Sequence, residues 1–435
     1  MIGQIILPGC ATMKQKIGTV RKNRARQNIT VLLLTMGMFA DVYAEESAVK
    51  FGGPDAVENQ IEEDSREKKA VIEQRAAQTW FDWKKGMQEK HGLSLGLDYT
   101  GVYFNADSSL DKDTASSGIF RFFGSWDLVG KGTKNTGAFV WKVEHRHKYG
   151  DVAPSEFGLG HLGYVGLFEA SFSDQGTRWT NLYWRQRFND GKVTLVGGFL
   201  DATDYLDVFV LGSPWTGFAN FAFSTGTYTM FIPNDVTLGV AAGAMLSDKM
   251  YLIGGLTNAY SDPTEPFDGI DTFIDDNEYF TSIELGWTPS HDRIYFDNTH
   301  ITLWHVDESE KAGAQEGWGA AFSYVSFIND KLMPFVRGGY ADDGGTLMQK
   351  SLSVGLGYQE VAGRDLLGVG FNWGEPNETT FTTGLDNQYT MELFYRFQLA
   401  QQFAITPNIE YLKNPALNPD ESQIWVFGLR ARLAI

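Results

Sequence analysis

Charged side chains recur at every second position in several short runs of the chain, and that spacing sets what they can do. Lys142, Glu144 and Arg146 alternate with Phe139, Trp141 and Val143, so an extended strand puts the charges on one face and the apolar groups on the other. Arg121 and Ser125 stand in the same relation to Phe120, Phe122 and Trp126, as do Tyr183, Arg185 and Arg187 to Leu182, Trp184 and Phe188. Asp98, in the first such run, offers a carboxylate to oppose these cations. Each guanidinium holds five donors in a fixed fork, so a wall of such residues can hydrogen-bond the hydroxyls of a solute. The same charges can also simply fill a polar wall and pair with one another. The aromatic, turn-rich stretch Ser213-Pro214-Trp215-Thr216-Gly217-Phe218-Ala219-Asn220-Phe221 suits a loop folded inward, with Trp215 as a stacking face. Girdle or loop packing is the plainer role for that ring.

Other chemistries fit less well. His145 and His147 would share a strand face, a geometry able to hold a metal, but no carboxylate stands beside them and Arg146 and Lys148 flank them. Asp271, Asp275, Asp276 and Asn277 do not have the spacing of a calcium loop and read as a solvated acidic connection. The chain has no Gly-x-Ser-x-Gly, His-Glu-x-x-His or Walker loop. No catalytic site, metal or cofactor is expected.

The elements that must carry these residues are strands. From Leu93 onward alternating runs are separated by turns rich in Gly, Asp, Asn and Pro. At the end, Trp425, Phe427, Leu429, Ala431, Leu433 and Ile435 oppose Arg430 and Arg432. A soluble sandwich would also alternate. Successive charges on one face, with Phe and Trp near strand ends on the other, favour a barrel that turns its apolar face outward. At ~10 residues per spanning strand plus connections, the strand-rich part allows roughly 16 antiparallel strands around an aqueous lumen. Long acidic connections are expected at Asn105–Ser117, Asp201–Asn220, Tyr260–Glu278, Asp307–Gly317 and Gly374–Asn387. Short turns at Asn189-Asp190-Gly191 and Ser247-Asp248 suit the other rim.

Three regions follow: residues 1–44 as a signal peptide, 45–90 as a charged helical segment in the periplasm, and 91–435 as an all-β transmembrane barrel. In the first, basic residues precede the apolar run around Val31–Leu34, and Val42-Tyr43-Ala44 suits a cut after Ala44. In the second, Val57, Ile61, Val71, Ile72 and Ala76 recur at roughly helical spacing, a stripe thin enough for a solvated helix or a short coiled coil. Cleavage removes the lone Cys10 with six basic and one acidic side chain, leaving 30 basic against 53 acidic and a charge of −23. Such an excess, already −18 before cleavage, argues against a nucleic-acid partner.

At the C-terminus, Thr406-Pro407-Asn408-Ile409-Glu410-Tyr411, Asn414-Pro415, Asn418-Pro419 and Val426-Phe427-Gly428-Leu429-Arg430 resemble the end of the carbohydrate-selective porin family. Trp80-Phe81-Asp82-Trp83 and Leu303-Trp304-His305-Val306-Asp307 are similar to other segments of that family, and the resemblance covers about residues 79–435. It implies an outer-membrane channel for passive diffusion of monosaccharides such as glucose and small oligosaccharides. It also implies an eyelet of arginines and acids, here Asp98, Arg121, Lys142, Glu144, Arg146, Arg185 and Arg187, with Trp215 as part of a sugar slide. Expected partners are permeating sugars, outer-membrane lipid and lipopolysaccharide, with a homotrimer as one expected assembly. Alternatives are a general or ion-selective porin, and a structural barrel or adhesin.

Overall fold

A computed structural model describes residues 48–72, 78–289, 291–360 and 365–435. The signal peptide and its cleavage site lie outside the described residues. Among the described residues, sixteen antiparallel strands follow one another along the chain. They are β1 (Leu93–Ala106), β2 (Thr114–Val129), β3 (Thr136–Lys148), β4 (Gly176–Phe188), β5 (Val193–Leu200), β6 (Thr237–Met245), β7 (Met250–Asn258) and β8 (Tyr279–Trp287). Then come β9 (Asn298–Val306), β10 (Gly317–Val325), β11 (Leu332–Asp343), β12 (Met348–Tyr358), β13 (Leu366–Pro376), β14 (Gln388–Ala400), β15 (Phe403–Lys413) and β16 (Gln423–Ala434). Each strand pairs with its sequence neighbours, and β1 closes on β16, where Asp98 faces Ala434. Closure leaves no unpaired strand edge, which is what lets a sheet cross a bilayer.

The alternation sorts the side chains as expected. On β3, Lys142, Glu144 and Arg146 are buried in the lumen, whereas Phe139 and His145 are exposed outside. On β16, Arg430 and Arg432 point inward, and Phe427, Leu429 and Leu433 are exposed. Charges inside and apolar groups outside invert the arrangement of a soluble protein and suit lipid around the wall. Exposed aromatics cluster near both rims: Trp126, Trp184 and Trp287 towards one, Tyr103, Trp318 and Tyr389 towards the other. His145 and His147 lie on the outer face, bonded to Thr177 and Tyr99 respectively.

All five expected long connections emerge at one rim and both expected short turns at the other. Two of the long connections fold into the lumen. One joins β5 to β6 (201–236); the other, joining β3 to β4 (149–175), is long and acidic but was not among the expected connections.

The N-terminal segment differs from its expectation. Instead of one helix it forms α1 (Val57–Ser65) and α2 (Gln78–His91). Nor is α1 solvated. Much of the segment 48–72 lies within the barrel, with Val57 packed against Phe123 and Val140, and with Asn59, Gln60 and Asp64 buried, while Val71 and Ile72 at its end are exposed. Backbone bonds tie its start to the β4–β5 turn (Val49 N to Asp190 O, 2.9 Å) and its end to β14 (Ile72 N to Leu399 O, 2.9 Å). Gly243 on β6 makes room for Phe51, since a Cβ there would sit 2.6 Å from the ring. The thin apolar stripe misled because this lumen is itself charged, so a polar helix can be buried there through ion pairs. That burial leaves α1 no free face for a coiled coil.

Candidate functional site

The connection 201–236 narrows the barrel. Its entry turn is set by Asp201, whose carboxylate caps Thr203 N at 3.0 Å. Asp207 then accepts from Gly226 N at 2.5 Å, from Arg337 Nη2 on β11 at 2.5 Å and from His300 on β9 at 2.7 Å, fastening both arms of the loop to the wall. At the tip, Arg430 donates to Pro214 O (2.7 Å) and Gly217 O (2.6 Å), and Glu392 on β14 accepts from Ala219 N (2.8 Å) and Asn220 N (2.9 Å). Gly217 is needed for this approach, because a Cβ would meet Leu211 O at 2.0 Å. The other inward loop joins it edge to edge: Glu169 N donates to Ala219 O and Phe221 N to Leu167 O. Glu169 also accepts from Arg430 at 2.5 Å.

Around this tip the wall residues meet. Trp215 lies flat on the Arg121 guanidinium, 3.5 Å from Cζ to the ring centre. Arg121 grips Asp98 through both Nε (2.8 Å) and Nη2, and Asp98 also accepts from Arg432 (2.7 Å), which in turn holds Asp64 of α1 (2.7 Å). Lys142 Nζ lies 3.2 Å from both Asp204 Oδ1 and Asp55 O. Arg146 bridges Glu144 (2.7 Å) and Asp235 (2.9 Å). Arg187 and Arg185 both donate to Glu58 of α1, at 2.8 and 3.1 Å.

Lys142, Glu144, Arg146 and Trp215 therefore line one cavity, with Asp55, Glu169, Asp201, Asp204 and Asp235. Arg185 and Arg187 line a neighbouring one with Glu58 and Tyr183. Asp98 lines neither; it sits behind Arg121 and Arg432 and holds them in place. Burial pushes the Asp204 carboxyl up to about 7 despite the adjacent Lys142. Burial likewise raises the Asp55 carboxyl, against the lowering effects of Ser213 and Lys142.

Several participants were not singled out from sequence. Glu392 follows the inward alternation of β14 and could have been read from it. Asp55, Glu58 and Asp64 belong to a segment whose path through the lumen leaves no local signal, and Asp201, Asp204 and Asp235 looked like ordinary loop acids. Chemically, the site presents guanidinium, ammonium, carboxylate and aromatic surfaces around a narrow opening.

The family model described as carbohydrate-selective porin, OprB family, matches residues 307–434, which span β10 to β16. Among solved structures, the Pseudomonas putida OprB structure at high pH is similar with a TM-score of 0.65 at 14% identity, covering 85% of this chain and 99% of that one. The low-pH structure of the same protein gives 0.50, also at 14% identity and with the same coverages. A mutant of Rh. blastica porin gives 0.50 at 13% identity, covering 79% of this chain and all of that one. These identities speak to the fold alone. A search of curated proteins returns no match. The porin-type barrel, together with the family signature along its closing strands, bears out the resemblance of this chain to the carbohydrate-selective porins of the OprB family.

Proposed function

We propose that the protein is an outer-membrane channel through which monosaccharides such as glucose, and small oligosaccharides, diffuse down their gradients. The observation that carries this reading is the constriction itself, where Lys142, Glu144, Arg146 and Trp215 line one cavity beneath two inward loops. Forked donors and carboxylates suit hydroxyls, and an aromatic face suits the C–H side of a pyranose.

In this reading residues 1–44 address the chain to export, 45–90 lie on the periplasmic side and in the lower lumen, and 91–435 span the outer membrane among lipid and lipopolysaccharide. A homotrimer is the assembly to test first, by cross-linking in membranes. Asp98, Arg121, Arg185 and Arg187 act behind or below the opening, positioning the groups that meet the sugar. Liposome swelling should be faster with glucose than with a size-matched amino acid, and glucose should reduce single-channel conductance. Trp215→Ala should weaken that block by about threefold or more while raising conductance, since it removes the ring that narrows the opening. Equal swelling rates together with conductance indifferent to sugar would overturn the proposal.

A further inference from the structure

Below the constriction lies a second chamber of about 420 Å³, bounded by the lumenal segment, the turn before β9 and the inner faces of β14 and β16. Its size falls in the range of small-molecule sites. Trp215 forms part of its roof, and Tyr295, Phe296 and Phe327 supply further aromatic surface.

The charge of this chamber runs against that of the chain. Arg66, Lys68, Arg293, Arg396 and Arg432 line it with only Glu63, Asp64 and Glu67, an excess of two positive charges in a protein of net charge −18. Most of these cations have partners: Arg432 and Lys68 reach Asp64, Arg66 reaches Glu62 and Glu63, and Arg293 reaches Glu63 at 3.6 Å. Arg396 makes no ion pair among the described residues, and its Nε is buried with no hydrogen-bond partner. Across the chamber, Gln60, 5% exposed, has an Oε1 that is also buried and unpaired. A buried guanidinium Nε and a buried amide oxygen left unpaired beside one cavity are costly unless something answers them.

We propose that this chamber is a binding subsite for a carboxylated sugar, a hexuronate, whose carboxylate pairs with the Arg396 guanidinium and whose hydroxyl donates to Gln60 Oε1. A guanidinium takes a carboxylate through two parallel hydrogen bonds, which a neutral hexose cannot reproduce. The cavity above is lined by six carboxyl groups against Lys142 and Arg146 and so offers an anion no comparable excess of positive charge. The lower cavity lined by Arg396, Arg432, Gln402 and Ala434 continues it towards the short-turn rim, giving an approach from that side.

This inference rests on the sugar-channel reading, and its test separates the two. Glucose and glucuronate are added to either side of a planar bilayer at low ionic strength, with wild type, Arg396→Gln and Arg396→Lys. From the short-turn side, glucuronate should half-block wild type at roughly one-tenth the concentration of glucose, the scale of one charge-assisted contact. Arg396→Gln should abolish that difference while moving the glucose value less than about twofold, and Arg396→Lys should retain part of it. Equal block of wild type by both sugars, or equal weakening of both by Arg396→Gln, would overturn the subsite and leave the sugar channel standing. A wild-type channel blocked by neither sugar would overturn both.

Discussion

Replacing Glu58 by Gln tests whether the lumenal segment is held by charge. Glu58 is the single carboxylate shared by Arg185 and Arg187, with Lys50 at 4.0 Å on its other side. Burial by itself would raise this carboxyl, and Arg187 and Arg185 more than reverse that, holding it well below the usual carboxylate range. Gln keeps the shape and loses the charge, leaving Arg187 without its ion-pair partner and Arg185 with only Asp127, at 3.7 Å. Removing one partner of a buried pair costs about 3–5 kcal/mol. The Glu58 side chain is 26% exposed, so solvent screens part of this and about 2–3 kcal/mol is expected. If the loss falls on docking of the segment, the undocked population rises roughly 30- to 140-fold. Trypsin reads this directly. Lys68 is 8% exposed, and its backbone N donates to Gln401 Oε1 at 2.8 Å, so cleavage after it requires release. When release and return are fast compared with cutting, the cleavage rate follows the released population. Glu58→Gln should therefore accelerate cleavage at Lys68 by that factor while the barrel stays intact. Acceleration below about threefold would refute the reasoning and assign the docking to apolar contacts such as Val57.

Other perturbations separate the remaining restraints. Gly243→Val should push Phe51 out of its seat at a cost of about 1–3 kcal/mol, again seen as faster trypsin cleavage of residues 48–72; an unchanged rate would mean that the ring is not an anchor. Acid should release the same segment: Glu58 and Asp64 (its carboxyl lowered to about 2 as Arg432 and Lys68 outweigh burial) are both depressed when docked. Their contribution is complete above the ordinary carboxylate pKa of about 4 and is lost as pH falls towards the docked values, so pepsin nicking within 48–72 should rise steeply between about pH 4.5 and 2.5. Flat nicking over that range would count against the ion pairs. Glu392→Ala leaves the Ala219 and Asn220 amides without their acceptor, about 2–4 kcal/mol at the loop tip, and should make single-channel current noisier. A current as quiet as wild type would show that Arg430 and Glu410 secure the tip without it.

How much could be read in advance differs element by element. The two-residue period of Phe139–Arg146 sorts its side chains before any contact is known, because a strand has only two faces and lipid accepts only one kind. The same rule placed Arg121, Arg185, Arg187, Arg430 and Arg432 inside the barrel, and the turn chemistry and loop lengths separated the two rims. The composition of Ser213–Phe221 allowed an inward fold beside plain loop packing, and the acids that hold it inward, Glu392 and Glu410, come from strands about 170 to 190 positions further along the chain.

What no local pattern contains is the choice of partner. Arg185 and Arg187 face the lumen by register, but that they meet Glu58, 127 and 129 residues earlier, depends on the lumenal segment entering the barrel. Periodicity treats a charged helix with a thin apolar stripe as solvated, since it weighs each side chain against water and not against a closed, charged interior. Strand formation, face and rim are short-range consequences of backbone geometry and side-chain polarity. Which carboxylate neutralises which guanidinium, and which guanidinium is left for a solute, emerge only when the barrel closes and its contents must share one lumen.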